Sequence, residues 1–404
     1  MNQKWLKLRT PWICGIFAIL ILLTGCWSRR EIEDLGITIG AAVDIGEETK
    51  LEQEIEQQGG DYSKKNVLTL TYQMVQPGQS GGVAGKGGGG GGKQYRNISV
   101  TGDSLYEVTR EIALTKDRPI FGQHYKVIVI SDKVARAFNM RMFFDFFIRE
   151  QEFRPSCLVF ICTGEARSAL DQKDKSEFPS LRLRSITNNQ YRSSRILPPV
   201  SLTKLLPEIN SSSSFLLQNV ITAEGEVKFA GAAVIYGKTG KLIGFLNEED
   251  LESINWMTAK VKGGVLKSYD SHTGQPILYE ITSMKSKIRP HIEGNRISFD
   301  VEIESDGRLG EQWENGNGFD NRFIRRVEEE TVKQVRKRID KMLHRIQKEY
   351  RADVIGLDQY VRIYYPRTWE KIKKDWDDKF ANASIRYRVK VKIKEFGTTS
   401  IKVH

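Results

Sequence analysis

The sequence predicts an α+β protein whose C-terminal part is an antiparallel sheet packed against one long helix. Three observations lead there. Residues 295–304 and 384–394 alternate strictly between apolar and polar or charged side chains, as half-buried strands do. Between them, residues 320–350 carry apolar side chains at three- and four-residue spacing, the period of one helix face. Ahead of both, across residues 30–197, short β-branched runs alternate with helical stretches. The expected organisation is a leader at 1–25, an N-terminal α/β domain at 26–197 with a Gly-rich loop at 81–93, a middle domain at 198–270 with a hairpin and a short helix, and a C-terminal α+β domain at 271–404.

The leader reads as an export signal. Lys4, Lys7 and Arg9 precede an apolar run at 11–23, too short for a hydrocarbon core of roughly 30 Å, which needs about 20 residues of helix. A cationic start, a short apolar centre and a small-residue end mark a segment for export and removal. That end, Leu23-Thr24-Gly25-Cys26, resembles the bacterial lipobox, in which cleavage falls just before a cysteine that carries the lipid. Cys26 is therefore the expected attachment point for S-diacylglycerol and an N-acyl chain. A single myristoyl chain anchors only marginally, at roughly 0.8 kcal/mol per buried CH₂, whereas two chains anchor stably. The mature chain would then stay on the outer face of a bacterial inner membrane.

Removing residues 1–25 from the 404 leaves 379, enough for two or three domains at about 100–200 residues each. Hydrophobic residues make up 39%, and no second long apolar run follows the leader. Residues 140–148 come nearest, but Arg141 and Asp145 make them an amphipathic helix. Net charge is +11, and loss of the three leader cations leaves +8. For an exported, tethered protein that excess favours anionic lipid or an acidic partner, at about 1 kcal/mol per cation near a charged surface. Nucleic acid, the usual partner of a basic chain, is seldom met outside the cell. Cys14 leaves with the leader. Cys157 and Cys162 stand five apart in an apolar run, on opposite faces of a strand, so they read as two buried thiols. No CxxC spacing offers a zinc or redox site.

Residues 35–45 are apolar and contain glycine, a buried strand, and 67–75 follow as another by β-branched and aromatic content. Asp103 or Ser104 can cap a helix over 105–114. Residues 126–130 form a continuous β-branched run, as strands buried on both faces do. Ser131-Asp132 opens a helix with Phe138, Met142 and Phe146 at four-residue steps, broken at Arg154-Pro155, and 158–162 begin the next strand. Residues 182–214, rich in Arg, Ser and Pro, read as a connection with one short helix at 202–206. Runs at 227–236 and 241–246 flank a Gly-containing turn as a hairpin. Asn247 then caps a helix reaching Trp256, and 261–266 resume extended structure. In the C-terminal domain Ile297, Phe299, Val301 and Ile303 point inward from one strand, and Ile385, Tyr387, Val389, Val391 and Ile393 from the other. The helix between them presents Ile324, Val327, Thr331, Val335, Ile339, Met342, Ile346 and Tyr350. At ~1.5 Å per residue it spans about 45 Å.

The outward faces of the two strands are oppositely charged: Arg386, Arg388, Lys390, Lys392 and Lys394 on one, Asp300, Glu302 and Glu304 on the other. As neighbours they would pair, at roughly 0.2–1 kcal/mol each. Apart, the cations would form a solvated edge or a face for headgroups or an acidic partner. Signals for catalysis are thin. His124, His272, His291, His344 and His404 make no HxH, HxxxH or HExxH pattern. Glu165, Asp171 and the run Glu328 to Glu330 make no recognisable acid–base pair. Gly87-x₄-Gly92-Lys93 mimics a phosphate loop, but Gln94 stands where Ser or Thr would hold Mg²⁺. Six consecutive glycines supply freedom, not a fixed cradle. No enzyme activity, cofactor or metal is expected.

Several stretches occur in the order of similar segments in one known family. They are Cys26-Trp-Ser-Arg-Arg-Glu-Ile-Glu-Asp-Leu35, the run 118–130, Phe146-Phe-Ile-Arg-Glu-Gln-Glu-Phe-Arg154, Gly164-Glu-Ala166, Asp353-Val-Ile-Gly-Leu357, Tyr364-Tyr-Pro-Arg-Thr-Trp369 and Lys374-Asp-Trp-Asp377. On these the chain resembles the Ger(x)C-type lipoproteins, the C subunits of the nutrient germinant receptors of endospore-forming bacteria. The resemblance implies three mixed α/β domains in an elongated body. It also implies a non-enzymatic place in a receptor of the inner spore membrane, beside two integral-membrane subunits, one resembling amino-acid transporters. That receptor answers small nutrients, and the family assigns no nutrient pocket to this subunit. Cys26 takes the lipid-bearing position. Tyr364, Pro366, Trp369 and Trp376 match a signature of unknown role, which reads as aromatic core packing. The polyglycine run at 87–92 is the main departure.

Two other functions compete. A lipid-anchored solute-binding protein of a transporter would have two similar lobes around a hinge, whereas the C-terminal half here differs in character from the first. An envelope hydrolase would need catalytic residues that the chain does not display.

Overall fold

The computed structural model describes residues 35–46, 54, 57–59, 67–76, 93–115, 117–149, 153–174, 177–260, 263–312 and 321–396. The leader, Cys26 and the six glycines at 87–92 lie outside them. The described residues form two sheets.

The first sheet holds β1 (Gly36–Ile45), β2 (Leu68–Val75), β3 (Tyr95–Gly102), the short β4 (Ile120–Phe121), β5 (Val127–Ser131), β6 (Leu158–Thr163), β7 (Phe215–Ala223), β8 (Glu226–Tyr236) and β9 (Lys241–Leu246). Its order is β3-β2-β1-β5-β6-β7-β8-β9, with β4 beside β1. The central pairs β1–β5, β5–β6 and β6–β7 are parallel, and parallel neighbours need crossover connections of a dozen or more residues, usually helical. Those crossovers supply α1 (Leu105–Thr115), α2 (Asp132–Ala137), α3 (Met140–Arg149), α4 (Pro179–Ile186) and α5 (Leu202–Ser211). Every residue of β5 is buried, as the unbroken β-branched run predicts. Ile128, Ile130, Val159 and Ile161 face a core shared with Ile112, Phe144, Phe147 and Leu205. Val127, Val129 and Phe160 face the other side, with Ala169, Leu170 and Leu183. Cys157 belongs to the first core and Cys162 to the second, both as free thiols.

Local differences from the sequence reading have physical causes. Ser131 does cap a helix, accepting from Val134 N at 3.3 Å, but that helix stops at Ala137. Phe138 is extended, and Asn139 starts α3 by accepting from Arg141 N at 2.9 Å. The break resets the phase, so Met140, Phe143, Phe144 and Phe147 are buried while Met142 is exposed. Residues 182–214 are a packed crossover holding the end of α4, a 3₁₀ turn and all of α5. Strand β7 follows them and pairs with β6, so hydrogen bonding runs across residue 198 within one sheet.

The second sheet follows α6 (Glu248–Thr258) and comprises β10 (Gly264–Tyr269), β11 (Pro276–Glu293), β12 (Arg296–Gln312) and, after four helices, β13 (Ser384–Phe396). The helices are α7 (Asn321–His344), continued by a π turn at Arg345–Glu349, then α8 (Leu357–Tyr364), α9 (Pro366–Ile372) and α10 (Trp376–Asn382). β10, β11 and β12 pair antiparallel, as expected, whereas β13 runs parallel to β12. The long helical crossover returns the chain to the end from which β12 started, which makes parallel pairing possible. Phe299, Val301, Ile303, Val389, Val391 and Ile393 pack with Val327, Val335, Ile339 and Met342 of the long helix in one core. Ala232, Val234 and Leu246 of the first sheet join that core.

Candidate functional site

The C-terminal signature folds into a buried clasp with an exposed end. Asp353 is 4% exposed and accepts five N–H groups. Oδ1 takes the amides of Ile355 (3.2 Å), Gly356 (2.9 Å) and Leu357 (3.1 Å), while Oδ2 takes Asp358 N (2.8 Å) and the Trp376 indole Nε1 (3.0 Å). Gly356 sits at φ +83°, a conformation that favours glycine, and the turn lets the carboxylate collect the amides opening α8. Asp358 accepts from Ser213 Oγ at 2.7 Å, across from the C-terminal end of α5. Burial first, then the charge of Asp358, pushes the Asp353 carboxyl up to about 7, against the pull of its donors. Burial raises Asp358 as well.

Among the four signature residues, the core-packing expectation holds for two. Trp376 is buried, and Trp369 stacks edge-on against it with ring centroids 5.4 Å apart. Tyr364 is 61% exposed, beside Ile363 at 72%. Pro366 is exposed too, at the first turn of α9, where its missing N–H costs nothing. The apolar tip therefore stands out from a fixed base. Asp353 was quotable from sequence but not readable as a cap. Its signal is the spacing Asp353-x-x-Gly356 directly before a helix.

Charged and polar contacts fasten the base to the first sheet. In α6, Asn247 and Asp250 form a reciprocal capping box. Asp250 also pairs with Arg345, and the fully buried Glu252 with Arg338. Ser194 Oγ donates to Glu252 at 2.9 Å. Tyr236 Oη donates to Asp377 at 2.8 Å, and Tyr350 Oη to the Phe245 carbonyl at 2.9 Å. Breaking a buried pair strands a charge at a cost of about 3–5 kcal/mol, so these contacts fix α6 against the long helix.

The outer face of the second sheet carries a ladder of charge. Strands β12 and β13 are neighbours, so the opposite charges pair. Arg386 meets Asp300 at 2.8 Å, Lys390 meets Glu304 at 3.6 Å and Lys394 meets Asp306 at 2.5 Å. From the other side, Arg289 of β11 grips Glu302 through both carboxylate oxygens. Arg386 holds Asp300 below the ordinary carboxylate range, Arg289 does so for Glu302, and Lys394 for Asp306. Among the described residues, no group of three His, Cys, Asp or Glu is placed to hold a metal.

Comparison with known proteins accounts for nearly the whole chain. A model described as spore germination protein N-terminal domain matches residues 28–222, and one described as spore germination B3/GerAC like, C-terminal, matches 230–397. The chain belongs to this spore germination protein family. It is 46% identical over 402 residues to Spore germination protein YndF of Bacillus subtilis (strain 168), covering 98% of this chain and 99% of that one. Spore germination protein A3 of the same organism is 30% identical, covering 96% and 98%. The crystal structure of the GerBC protein shares the fold, with TM-score 0.60 over 82% of this chain and 94% of that one, at 23% identity. The resemblance to the C subunits of germinant receptors therefore holds, as does the mixed α/β architecture. In this germination protein the stretch between the two family models, residues 223–229, contains the turn from β7 to β8. Among the described residues, no helix is long and apolar enough to cross a membrane.

Proposed function

We propose that this germination protein is a lipid-anchored interaction subunit of a nutrient germinant receptor. Diacylglycerol on Cys26 tethers it to the outer face of the inner spore membrane, beside two integral-membrane subunits. It works by protein–protein contact, assembling the receptor or passing on its signal, without enzyme chemistry and without binding the nutrient itself. The observation that carries this reading is the exposed pair Ile363 and Tyr364 on a helix whose base is clamped through Asp353. Apolar groups held rigidly in solvent are what a docking surface offers, and Tyr is enriched in such surfaces.

Spores carrying Cys26→Ala, or lacking the gene, should lose germination to one class of nutrient while vegetative growth continues, measured by the fall in optical density after nutrient addition. Normal responses to every nutrient, in a strain with no second receptor, would rule the reading out. Mass spectrometry of the native amino terminus tests the lipid directly. The competing solute-binding reading calls for two matching lobes. Here one sheet is centred on parallel strands and the other is four-stranded and mostly antiparallel. Calorimetry of the chain with amino acids and sugars separates the two, since only a solute-binding protein gives heat.

A further inference from the structure

Among the described residues, β13 ends its sheet, with β12 on one side and no strand on the other. The Ile393 amide points away from β12 and donates to Glu328 Oε1 at 2.8 Å. Alternate residues of a strand turn their backbone groups to the same side, so the amides of Val391, Val389 and Tyr387 face that open side too. The long helix α7 runs alongside and is tied to β13 at both ends of this stretch. Glu328 holds Ile393, and the Tyr387 hydroxyl meets Asp340 and the Arg336 carbonyl. Between the ties lies a groove of about 670 Å³, lined by Val332, Arg336 and Lys337 of α7 and by Val389 and Val391.

This edge lacks most devices by which sheets repel a further strand. From Ile385 to Ile393 there is no proline, the register with β12 is unbroken, and the inward row is apolar. Its cations are the exception, and their arrangement points to a ligand. Charge runs in columns across the sheet: cations on β11, carboxylates on β12, cations on β13. The β12 carboxylates are taken up by Arg289, Arg386, Lys390 and Lys394, so Arg388 and Lys392 form no ion pair among the described residues. Neither do Arg325, Arg336 and Lys337 along the groove, where three carboxylates also lack an ion pair among the described residues: Glu329, and Glu328 and Asp340, which accept from the Ile393 amide and the Tyr387 hydroxyl. A further column continuing that alternation would be acidic.

We propose that the open edge of β13 accepts an added strand from a protein partner, an extended segment alternating carboxylates with apolar residues. The backbone groups of Val389 and Val391 would pair with it, Arg388 and Lys392 would meet its carboxylates, and its apolar residues would enter the groove. Tyr387 to Ile393 covers about 20 Å at ~3.3 Å per residue, room for roughly five to seven residues. Strand addition draws affinity from the main chain and specificity from alternate side chains. The proposal rests on the interaction-subunit reading only in making the partner a protein.

The test uses the full-length chain in non-ionic detergent and a fluorescein-labelled nine-residue peptide alternating Glu with Val. A Lys–Val peptide of equal length is the control. Saturable anisotropy with the Glu–Val peptide alone is expected, together with slowed hydrogen exchange at the Val389 and Val391 amides. The double variant Arg388→Glu, Lys392→Glu should keep its melting profile and bind at least tenfold more weakly. Absence of binding, equal binding of the Lys–Val peptide, or binding without amide protection overturns the proposal. Capture of vesicles containing phosphatidylglycerol through the same cations, with no peptide binding, assigns the face to lipid and also overturns it. Spores carrying the double variant separate this idea from the broader one. Lost germination in those spores, when the parent chain itself binds no peptide, refutes the added strand alone, whereas the Cys26→Ala result bears on the subunit reading.

Discussion

Trp376 donates its indole N–H to Asp353 at 3.0 Å, joining the start of α10 to the turn that opens α8, twenty-three residues earlier. The bond closes a set of five donors on one buried carboxylate, and four of the donor residues, Ile355, Leu357, Asp358 and Trp376, are themselves buried. Asp353→Ala should therefore cost at least about 3 kcal/mol, since a stranded buried donor costs about 1–3 kcal/mol. Trp376→Phe, which keeps the ring and drops one charge-assisted bond, should cost about 1.5–3 kcal/mol. Urea unfolding of both variants checks the order, and an Asp353→Ala cost below 1 kcal/mol would show that the clasp is dispensable.

The same carboxylate gives stability a dependence on pH. Its folded value, raised from 3.8 to about 7, lies above the unfolded one, so the native state holds a proton that the unfolded chain has released. That contribution is complete below the unfolded value and is lost as pH rises through about 7. Asp358→Asn removes the neighbouring charge and should lower Asp353, shrinking the fall in melting temperature between pH 5 and pH 8. Asp300, Glu302 and Asp306 are depressed, so their contribution fades only as pH drops below the ordinary carboxylate range. Burial raises Asp44, Glu208 and Glu252 as well, so the test is the difference in slope between the parent chain and Asp358→Asn above pH 5, and an unchanged slope would refute the coupling.

Gly244 lies under the ring of Tyr350, and a Cβ there would overlap it. The close approach lets Tyr350 reach the Phe245 carbonyl and join the two sheets. Gly244→Ala should destabilise by about 1–3 kcal/mol, the usual cost of overpacking. Combined with Tyr350→Ala it should cost less than the two single changes added, because the clash needs both groups. Strict additivity in denaturant melts would show that the contact is not formed.

Burial pushes both Cys157 and Cys162 up to about 12, and the thiolate is the reactive form. The folded chain should leave both thiols unalkylated by iodoacetamide at pH 8 and expose both in urea. Peptide mapping reads the two sites separately, and labelling of either in the native state would contradict its placement in the core.

The parts of the fold that were legible are those in which one residue's period decides its environment. The alternation in β12 and β13 announced both buried rows, and the opposite signs of Asp300 and Arg386 allowed their pairing on the condition, met in the fold, that the strands are neighbours. The three- and four-residue spacing from Val327 to Ile346 announced the buried face of α7. Besides the two-residue β4, three strands escaped notice. β3 carries Arg96, Asn97 and Ser99, β7 lies beside a serine run, and β11 mixes Lys285, Ser286, Lys287 and Pro290 among its apolar residues. Their pairing comes from partners far along the chain, which no local pattern reports. The α2–α3 break was hidden for a related reason. Met140 N finds its acceptor at Gly240, a hundred residues away.

Left to itself, the chain settles what depends on neighbours in sequence: two thiols on opposite faces of one strand, the period of each regular element and an excess of positive charge. Contacts between distant segments decided the rest. β13 lies parallel to β12 because a helical crossover brings it back, and that placement neutralises part of the cationic row and leaves Arg388 and Lys392 over. Tyr364 is exposed and Trp376 buried, though both are aromatic residues of one signature, because only Trp376 has the Asp353 carboxylate within reach. Local pattern reports what a residue prefers, whereas burial and partnership depend on what the folded chain sets beside it.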